Sequence, residues 1–336
     1  MQEIFPFLNL QNEHQKILVL TWMLYALHPT GDCAILSITG PQGAAKSTLT
    51  RLIRSLTDPS GVALRTVSRN ERNLIIAAQD SHILAFDNVS EIHPWLSDAL
   101  CRLAIGAGMG ERVLHTDANE ILFSARRPII FNGIGTLAER GDLRDRLVDI
   151  QLLAISQEKR QSESEFLQKF DAARPRIFGA LLDALVTTLR RLPSVQCSDL
   201  PRMTEFARLG IAAERALGFS AGMFLKAYEA NIKESAYQAL ESSPAVNCIS
   251  KMLNGADWKG TSGELLQKLN SFTKGEQRDP DWPHSARKMS SALSRGEPSL
   301  NAAGIFIVRL QREGGTGARR FKLEHRHMVT PSPRAA

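Results

Sequence analysis

Cysteine is scarce and dispersed: Cys33, Cys101, Cys197 and Cys248 are the only four in 336 residues, and no two form a C-x-x-C pair. That spacing argues against a zinc or redox pair, and two of the four lie in apolar runs. They read as reduced core residues of a cytoplasmic protein without a cysteine metal site. Membrane-length hydrophobic runs are missing too. The apolar run 17–27 has eleven residues, too few to cross a bilayer, so a packed helix is expected and no membrane partner. The first 250 residues lack a charge excess, with 26 Lys/Arg against 27 Asp/Glu. Residues 251–336 carry 15 Lys/Arg against 8 Asp/Glu, a net of +7. A cationic C-terminal quarter points to a polyanion, nucleic acid first, or else is a solvated basic surface. The composition is otherwise that of a globular protein, 43% apolar and 23% charged, with room for two or three domains.

What is present is organised around Gly40-Pro41-Gln42-Gly43-Ala44-Ala45-Lys46-Ser47-Thr48. Residues 33–38 before it read as a strand and residues 49–56 after it as a helix. A glycine-rich turn in that context points backbone N–H groups and a helix N-terminus at a triphosphate. Lys46 would reach the β- and γ-phosphates of ATP, and Ser47 would ligate Mg2+. Ala45 stands where the last glycine of such loops is usual, so φ below zero is expected there. The plainer alternative is a Gly/Ala turn before a helix.

About forty residues on, the run 81–86 ends in Asp87-Asn88. A buried strand delivering an acid beside the loop is the Walker B pattern, with Asp87 on Mg2+; a strand closing in an Asx turn is the alternative. Asn88 takes the place of a glutamate base. It can orient a water but cannot accept its proton, which leaves Glu71 and Glu91 as acids to test. Residues 94–106 read as a helix, and 111–123 as a hairpin carrying Arg112 and His115. Residues 128–133 form a strand ending in Asn132, which would orient an attacking water or simply make a turn before Gly133. Before the strand 147–152, Arg144 and Arg146 are expected to project from a helical turn capped by Asp142. They would serve a neighbouring subunit's nucleotide or pair with Asp142 or Asp145.

Residues 1–10 read as an extended apolar lead-in, a start that suggests a chain cut from a longer protein. Asn12 or Asn9 caps the helix 12–28. Residues 157–240 are helical, with a stripe of Ile177, Leu181, Leu182, Leu185 and Leu189 and a break near 193–201, after which Arg202 opens a helix within reach of phosphate. Helices follow at 246–253, at 262–269 behind a Thr261/Glu264 capping box, and at 284–293. A hairpin closes the series, 304–310 with 319–323. Three helices and a glycine-tipped hairpin suggest a winged helix. It would set Arg287, Lys288 and Arg295 towards duplex DNA and Arg312, Arg319 and Arg320 on the wing, or serve protein contact. Residues 328–336 read as a disordered tail.

In this order the motifs resemble those of AAA+ replicative helicases, in particular the helicase portions of phage, plasmid and integrated-element primase–helicase proteins. The Ala-Lys-Ser loop is similar to that of minichromosome-maintenance-like ATPases. The resemblance covers residues 10–325. It implies an α/β fold: a lead-in to residue 30, a P-loop ATPase core over 31–156, a helical lid over 157–243 and a winged helix over 244–327. It implies ATP and Mg2+, a hexameric ring, single-stranded DNA gripped in the channel by the 111–123 hairpin, and a primase domain or partner. Lys46, Ser47 and Asp87 match the nucleotide and Mg2+ residues, Asn132 matches sensor 1, Arg146 or Arg144 the arginine finger, and Arg202 sensor 2. Two departures are Asn88 and the hairpin tip Thr116-Asp117-Ala118-Asn119, which has an acid and no lysine. They leave open a nucleotide-switched DNA-binding initiator that does not unwind. A small-molecule kinase is disfavoured, having no use for a winged helix.

Overall fold

α1 (Glu13–Leu27) is capped by Asn12, whose side chain accepts the Gln15 N–H, and every residue from Ile17 to Ala26 is buried. Its Trp22 indole donates to the Ala34 carbonyl at 2.8 Å, so a polar atom inside an apolar helix environment is satisfied. The computed structural model describes residues 1–68, 70–112, 120–135, 140–197, 201–273, 279, 281–310 and 319–326. Among these, no helix is long and apolar enough to cross a membrane. By internal contacts the chain divides into two units, Met1–Ile232 and Lys233–Ala336.

In the first unit α1 is followed by β1 (Ile35–Thr39), α2 (Lys46–Thr57), α3 (Glu71–Asp80), β2 (Leu84–Val89) and α4 (Pro94–Ile105). Then come β3 (Met109–Arg112), β4 (Glu120–Phe123), β5 (Ile129–Gly133), α5 (Gly141–Arg144), β6 (Leu147–Gln151), α6 (Glu163–Arg191), α7 (Thr204–Ala213) and the first ten residues of α8 (Met223–Glu241), whose remainder belongs to the second unit. Four strands form a parallel sheet in the order β2-β5-β1-β6. Arg65 adds a single parallel bridge beyond β2, to Phe86. β1 and β5 are buried along their whole length, as a parallel sheet covered on both faces requires. Leu36, Ile38, Ile130, Val148 and Ile150 face one core with α1, α2, α6 and α7. Ile35, Ile129, Phe131 and Leu84 face the other with α3 and α4. The edge at β6 is closed by a side chain: Asn231 of α8 accepts the Asp149 N–H at 3.0 Å and donates to the Asp149 carbonyl at 2.5 Å. That covers backbone groups an open edge would expose.

The lead-in is extended only in part, at Leu8. Gln2–Phe7 form a 3-10 helix with Ile4 fully buried. Phe7 packs edge-on against Phe166 and Phe170 of α6, and Glu3 pairs with Arg176. The partners lie some 160 residues away in sequence, which local reading cannot supply. The buried stripe of α6 is Phe170, Ala173, Ile177, Leu181, Ala184 and Thr188. Leu182, expected in it, is 39% exposed.

The second unit holds α9 (Pro244–Leu253), β7 (Trp258–Thr261), α10 (Ser262–Phe272), α11 (Ala286–Ala302), β8 (Ile305–Arg309) and β9 (Arg320–His325). Its sheet is antiparallel, in the order β7-β9-β8. The Thr261/Glu264 capping box is present in full. Trp258 of β7 packs its ring at a tilt against that of Phe321. α11 continues past the expected end at 293, through Gly296 and Pro298. Burial of Ser299 and Leu300 outweighs the hydrogen bond that proline removes.

Candidate functional site

The carboxyl ends of β1, β5 and β2 converge, the usual ligand position in an open parallel sheet. The loop after β1 needs Gly40: φ is +147°, and a Cβ there would come within 2.5 Å of the Leu152 carbonyl oxygen. α2 starts at Lys46, so the loop presents the N-terminus of a twelve-residue helix, suited to an anion. Lys46 folds back and donates to the carbonyls of Gly40 and Pro41, both at 2.8 Å. Burial lowers its pKa below the ordinary lysine value, and the nearby Asp87 carboxylate opposes that shift.

Ala45 departs from expectation. Its φ is +60° and ψ +32°, left-handed, at the N-cap of α2. The loop geometry overrides the methyl's preference, at a strain of about 1 to 2 kcal/mol for an L-residue. Ala45→Gly is therefore expected to stabilise the chain by about 1 kcal/mol after the extra freedom of glycine in the unfolded state is subtracted. Urea unfolding measures this as a raised midpoint at unchanged slope; a lowered midpoint would mean that the methyl's packing outweighs its strain.

Ser47 Oγ donates to Asp87 Oδ1 at 2.7 Å. Hydroxyl and carboxylate together form a hard-oxygen donor set that suits Mg2+. Among the described residues no cluster of three His, Cys, Asp or Glu side chains offers a fuller metal site, so other oxygens would have to come from ligand and water. β2 shifts register between Phe86 and Val89. At that bulge Asn88 is left-handed, with φ +54°, a conformation asparagine tolerates. Its N–H donates to Asn132 Oδ1 at 3.1 Å. Asn132, 1% exposed, donates to Thr50 Oγ1 at 3.1 Å, and Thr50 donates to the Lys46 carbonyl at 3.0 Å. The strand tips are thereby hydrogen-bonded to the first turn of α2. Glu71 is paired with Arg102, and Glu91 lies 3.3 Å from His93.

Arg144 and Arg146 do not project. They are 6% and 7% exposed. Arg146 donates to the Asp142 carbonyl and carboxylate at 2.6 and 2.7 Å. Arg202 reaches the same turn, donating to Asp142 at 2.8 Å and Asp145 at 3.0 Å. Burial alone would raise the Asp142 carboxyl; the Arg146 and Arg202 bonds outweigh it and hold the pKa below the ordinary aspartate value. Burial lowers the Arg144 pKa, with Asp145 opposing. Burial also pushes the Cys33 and Cys101 thiols up to about 12, so both stay protonated.

A cavity of about 620 Å3 adjoins the loop, with Phe7, Asn9, Ala45, Thr48, Arg160 and Phe166 in its lining. Asn9 does not cap a helix. It donates to the carbonyls of Ala44 and Leu153 at 3.1 and 2.8 Å, fastening the N-terminal segment to the loop. Neither the cavity nor Arg160 was foreseen from sequence, because the lining segments are remote in the chain.

In the second unit Arg287, Lys288 and Arg295 are exposed on α11, and Arg319 and Arg320 are exposed at the start of β9. None of the five is in an ion pair among the described residues, whereas Arg309 pairs with Glu297 and Lys322 with Asp257 and Glu324. A cleft of about 460 Å3 between α11 and the β8–β9 pair includes Ser290, Ser294, Arg319 and Arg320. Arg112 ends β3 opposite Glu120; His115 and Arg312 lie outside the described residues.

Residues 1–236 match the family described as the actinomycete integrative conjugative element replication protein, and residues 245–333 match the AICE RepA C-terminal domain. Among curated proteins none matches the chain. Among solved structures, the active helicase Cch of SCCmec type IV is similar over 92% of this chain and 67% of its own, at 13% identity and a TM-score of 0.45. The apo C-terminal region of NrS-1 is similar over 96% and 75%, at 11% identity and a TM-score of 0.43. JCV helicase is similar over 67% and 66%, at 15% identity and a TM-score of 0.31.

Proposed function

The chain belongs to the replication proteins of actinomycete integrative conjugative elements, and from that premise we propose that it is an ATP-driven DNA helicase of the AAA+ type. In this reading residues 40–48 are the phosphate loop of a P-loop core, α6 to α8 supply the lid, and the second unit is a winged helix. The observation that carries it is the Ser47–Asp87 pair at 2.7 Å, beside a lysine folded onto its own loop. The loop N–H groups and Lys46 hold the phosphates. Ser47 and Asp87 would hold Mg2+, which would supply charge neutralisation at the transferred phosphoryl group. Asn132 holds the Asp87–Asn88 corner in register with α2. The apolar part of the 620 Å3 cavity, with Phe7 and Phe166, suits a base. The exposed cations Arg287, Lys288, Arg295, Arg319 and Arg320 suit duplex phosphates, and the β3–β4 hairpin suits single-stranded DNA in the channel of a hexameric ring.

Asn88 favours a second reading, a nucleotide-switched DNA-binding initiator without unwinding. Its amide cannot take a proton from water, and Glu71 is already paired with Arg102. Steady-state ATP turnover with and without single-stranded DNA separates the two, measured at protein concentrations that favour assembly and beside Lys46→Ala. The helicase reading expects turnover that single-stranded DNA stimulates and Lys46→Ala abolishes, followed by strand separation. ATP binding with negligible turnover overturns it in favour of the switch. Mixing Arg146→Ala with Lys46→Ala subunits measures a role for Arg146 across a subunit boundary: restored turnover supports it.

A further inference from the structure

Past β6 the chain stays against the glycine-rich loop. Leu152 donates its N–H to Thr39 at 2.8 Å, and Ile155 donates to Gly43 at 3.2 Å. A 3-10 turn, Gln157–Lys159, follows, and the Arg160 N–H returns to the Gln157 carbonyl at 3.3 Å. The fold-back carries the Arg160 guanidinium to the loop: Nη2 lies 3.5 Å from where a side chain on Gly43 would begin. Arg160 shares its cavity with Ala45 and Thr48, at the start of α2.

Charge distinguishes this arginine from its neighbours. Arg202, the arginine the family resemblance points to, is already held by Asp142 and Asp145. Arg146 is held by Asp142, and Arg144 is buried. Arg160 is exposed, and among the described residues it has neither an ion pair nor a side-chain hydrogen bond. Glu158 and Glu163 line the same cavity, with Glu163 lying 3.6 Å from Arg51. A polyphosphate entering beside two carboxylates needs a cation on that side, and among the described lining residues Arg160 is the one available.

We propose that Arg160 binds polyphosphate oxygens of the nucleotide held by the loop, as a cation from the same subunit. The proposal rests on the nucleotide reading above. Because Arg160 stands three residues before α6, phosphate capture there ties the start of that helix to the occupied loop.

The test uses the full chain, a fluorescent ATP analogue, and unlabelled ATP, ADP and AMP as competitors. Wild type is expected to bind ATP. Arg160→Ala is expected to bind it about 10- to 100-fold more weakly, the loss of one or two charge-assisted hydrogen bonds. The loss shrinks from ATP to AMP, the melting temperature is unchanged, and Arg160→Lys recovers part of the affinity. Unchanged ATP affinity in Arg160→Ala overturns the proposal, as does an equal loss for all three nucleotides or a Lys variant no better than Ala. A wild type that binds no ATP is a different outcome, because it removes the nucleotide reading itself.

Discussion

Asp87→Asn is expected to cut Mg2+-dependent ATP turnover by about 1,000-fold, the scale of removing one pre-organised charged group from a phosphoryl-transfer site. The swap is isosteric and the position is only half-buried, so the fold should persist. Two changes follow from one atom. The Ser47 hydroxyl now donates to a carboxylate oxygen at 2.7 Å, and an amide oxygen in its place is a weaker acceptor and a weaker ligand for a hard cation. The Asp87 charge also acts on Lys46, holding up an ammonium pKa that burial lowers. Removing it leaves that lysine easier to deprotonate where, in the proposed function, a cation meets phosphate. Turnover of Asp87→Asn and Ser47→Ala at saturating ATP, with Mg2+ titrated, checks the account. Both variants should need more Mg2+, and Ser47→Ala should retain the larger residual rate. A rate in Asp87→Asn within a few-fold of wild type would show that no metal-bound nucleotide reacts at this corner of the sheet.

What could be read from the sequence was local. The loop and the caps at Asn12 and Thr261 each lie within a few residues of the groups they serve, and there the residue type carries the geometry; Asp87 showed as an acid after an apolar run, although Ser47, its partner, is forty residues away. What could not be read depends on distant segments. Ala45 is left-handed inside a loop braced by Leu152 and Ile155, over 100 residues on. Arg144 and Arg146 turn inward where Arg202, about 60 residues away, joins Asp142 and Asp145. The N-terminal turn is helical because its apolar face meets α6. β7 has four residues, too few for periodicity to register against the turn beside it. Arg160 carried no signal at all, since an arginine in a polar linker looks like any solvated cation.

Asn132→Asp tests the hydrogen-bond chain behind the site and differs in pH dependence from a simple truncation. Thr50 has one hydroxyl proton and donates it to the Lys46 carbonyl, so it faces Asn132 with lone pairs and only the amide's N–H satisfies it. A carboxylate at this 1% exposed position can still accept from the Asn88 N–H, but its second oxygen opposes the Thr50 oxygen. The introduced carboxyl therefore protonates more readily when folded than unfolded, and its folded pKa rises above the ordinary value of about 4. The folded state then binds a proton that the unfolded state has released. The variant is most stable below the ordinary carboxylate pKa and loses stability as pH rises through the folded pKa. By pH 8 the deficit should reach about 3 kcal/mol or more, the scale of an unpaired buried charge. Asn132→Ala leaves the Asn88 N–H unpaired and a small void, costing about 2 kcal/mol at either pH. Urea unfolding of the two variants at pH 5 and pH 8 separates them. The deficit of Asn132→Asp should grow with pH while that of Asn132→Ala stays level. If both stay level, Thr50 has turned its hydroxyl to the carboxylate and released the Lys46 carbonyl, and the first turn of α2 rather than the strand tip is the part of the network that yields.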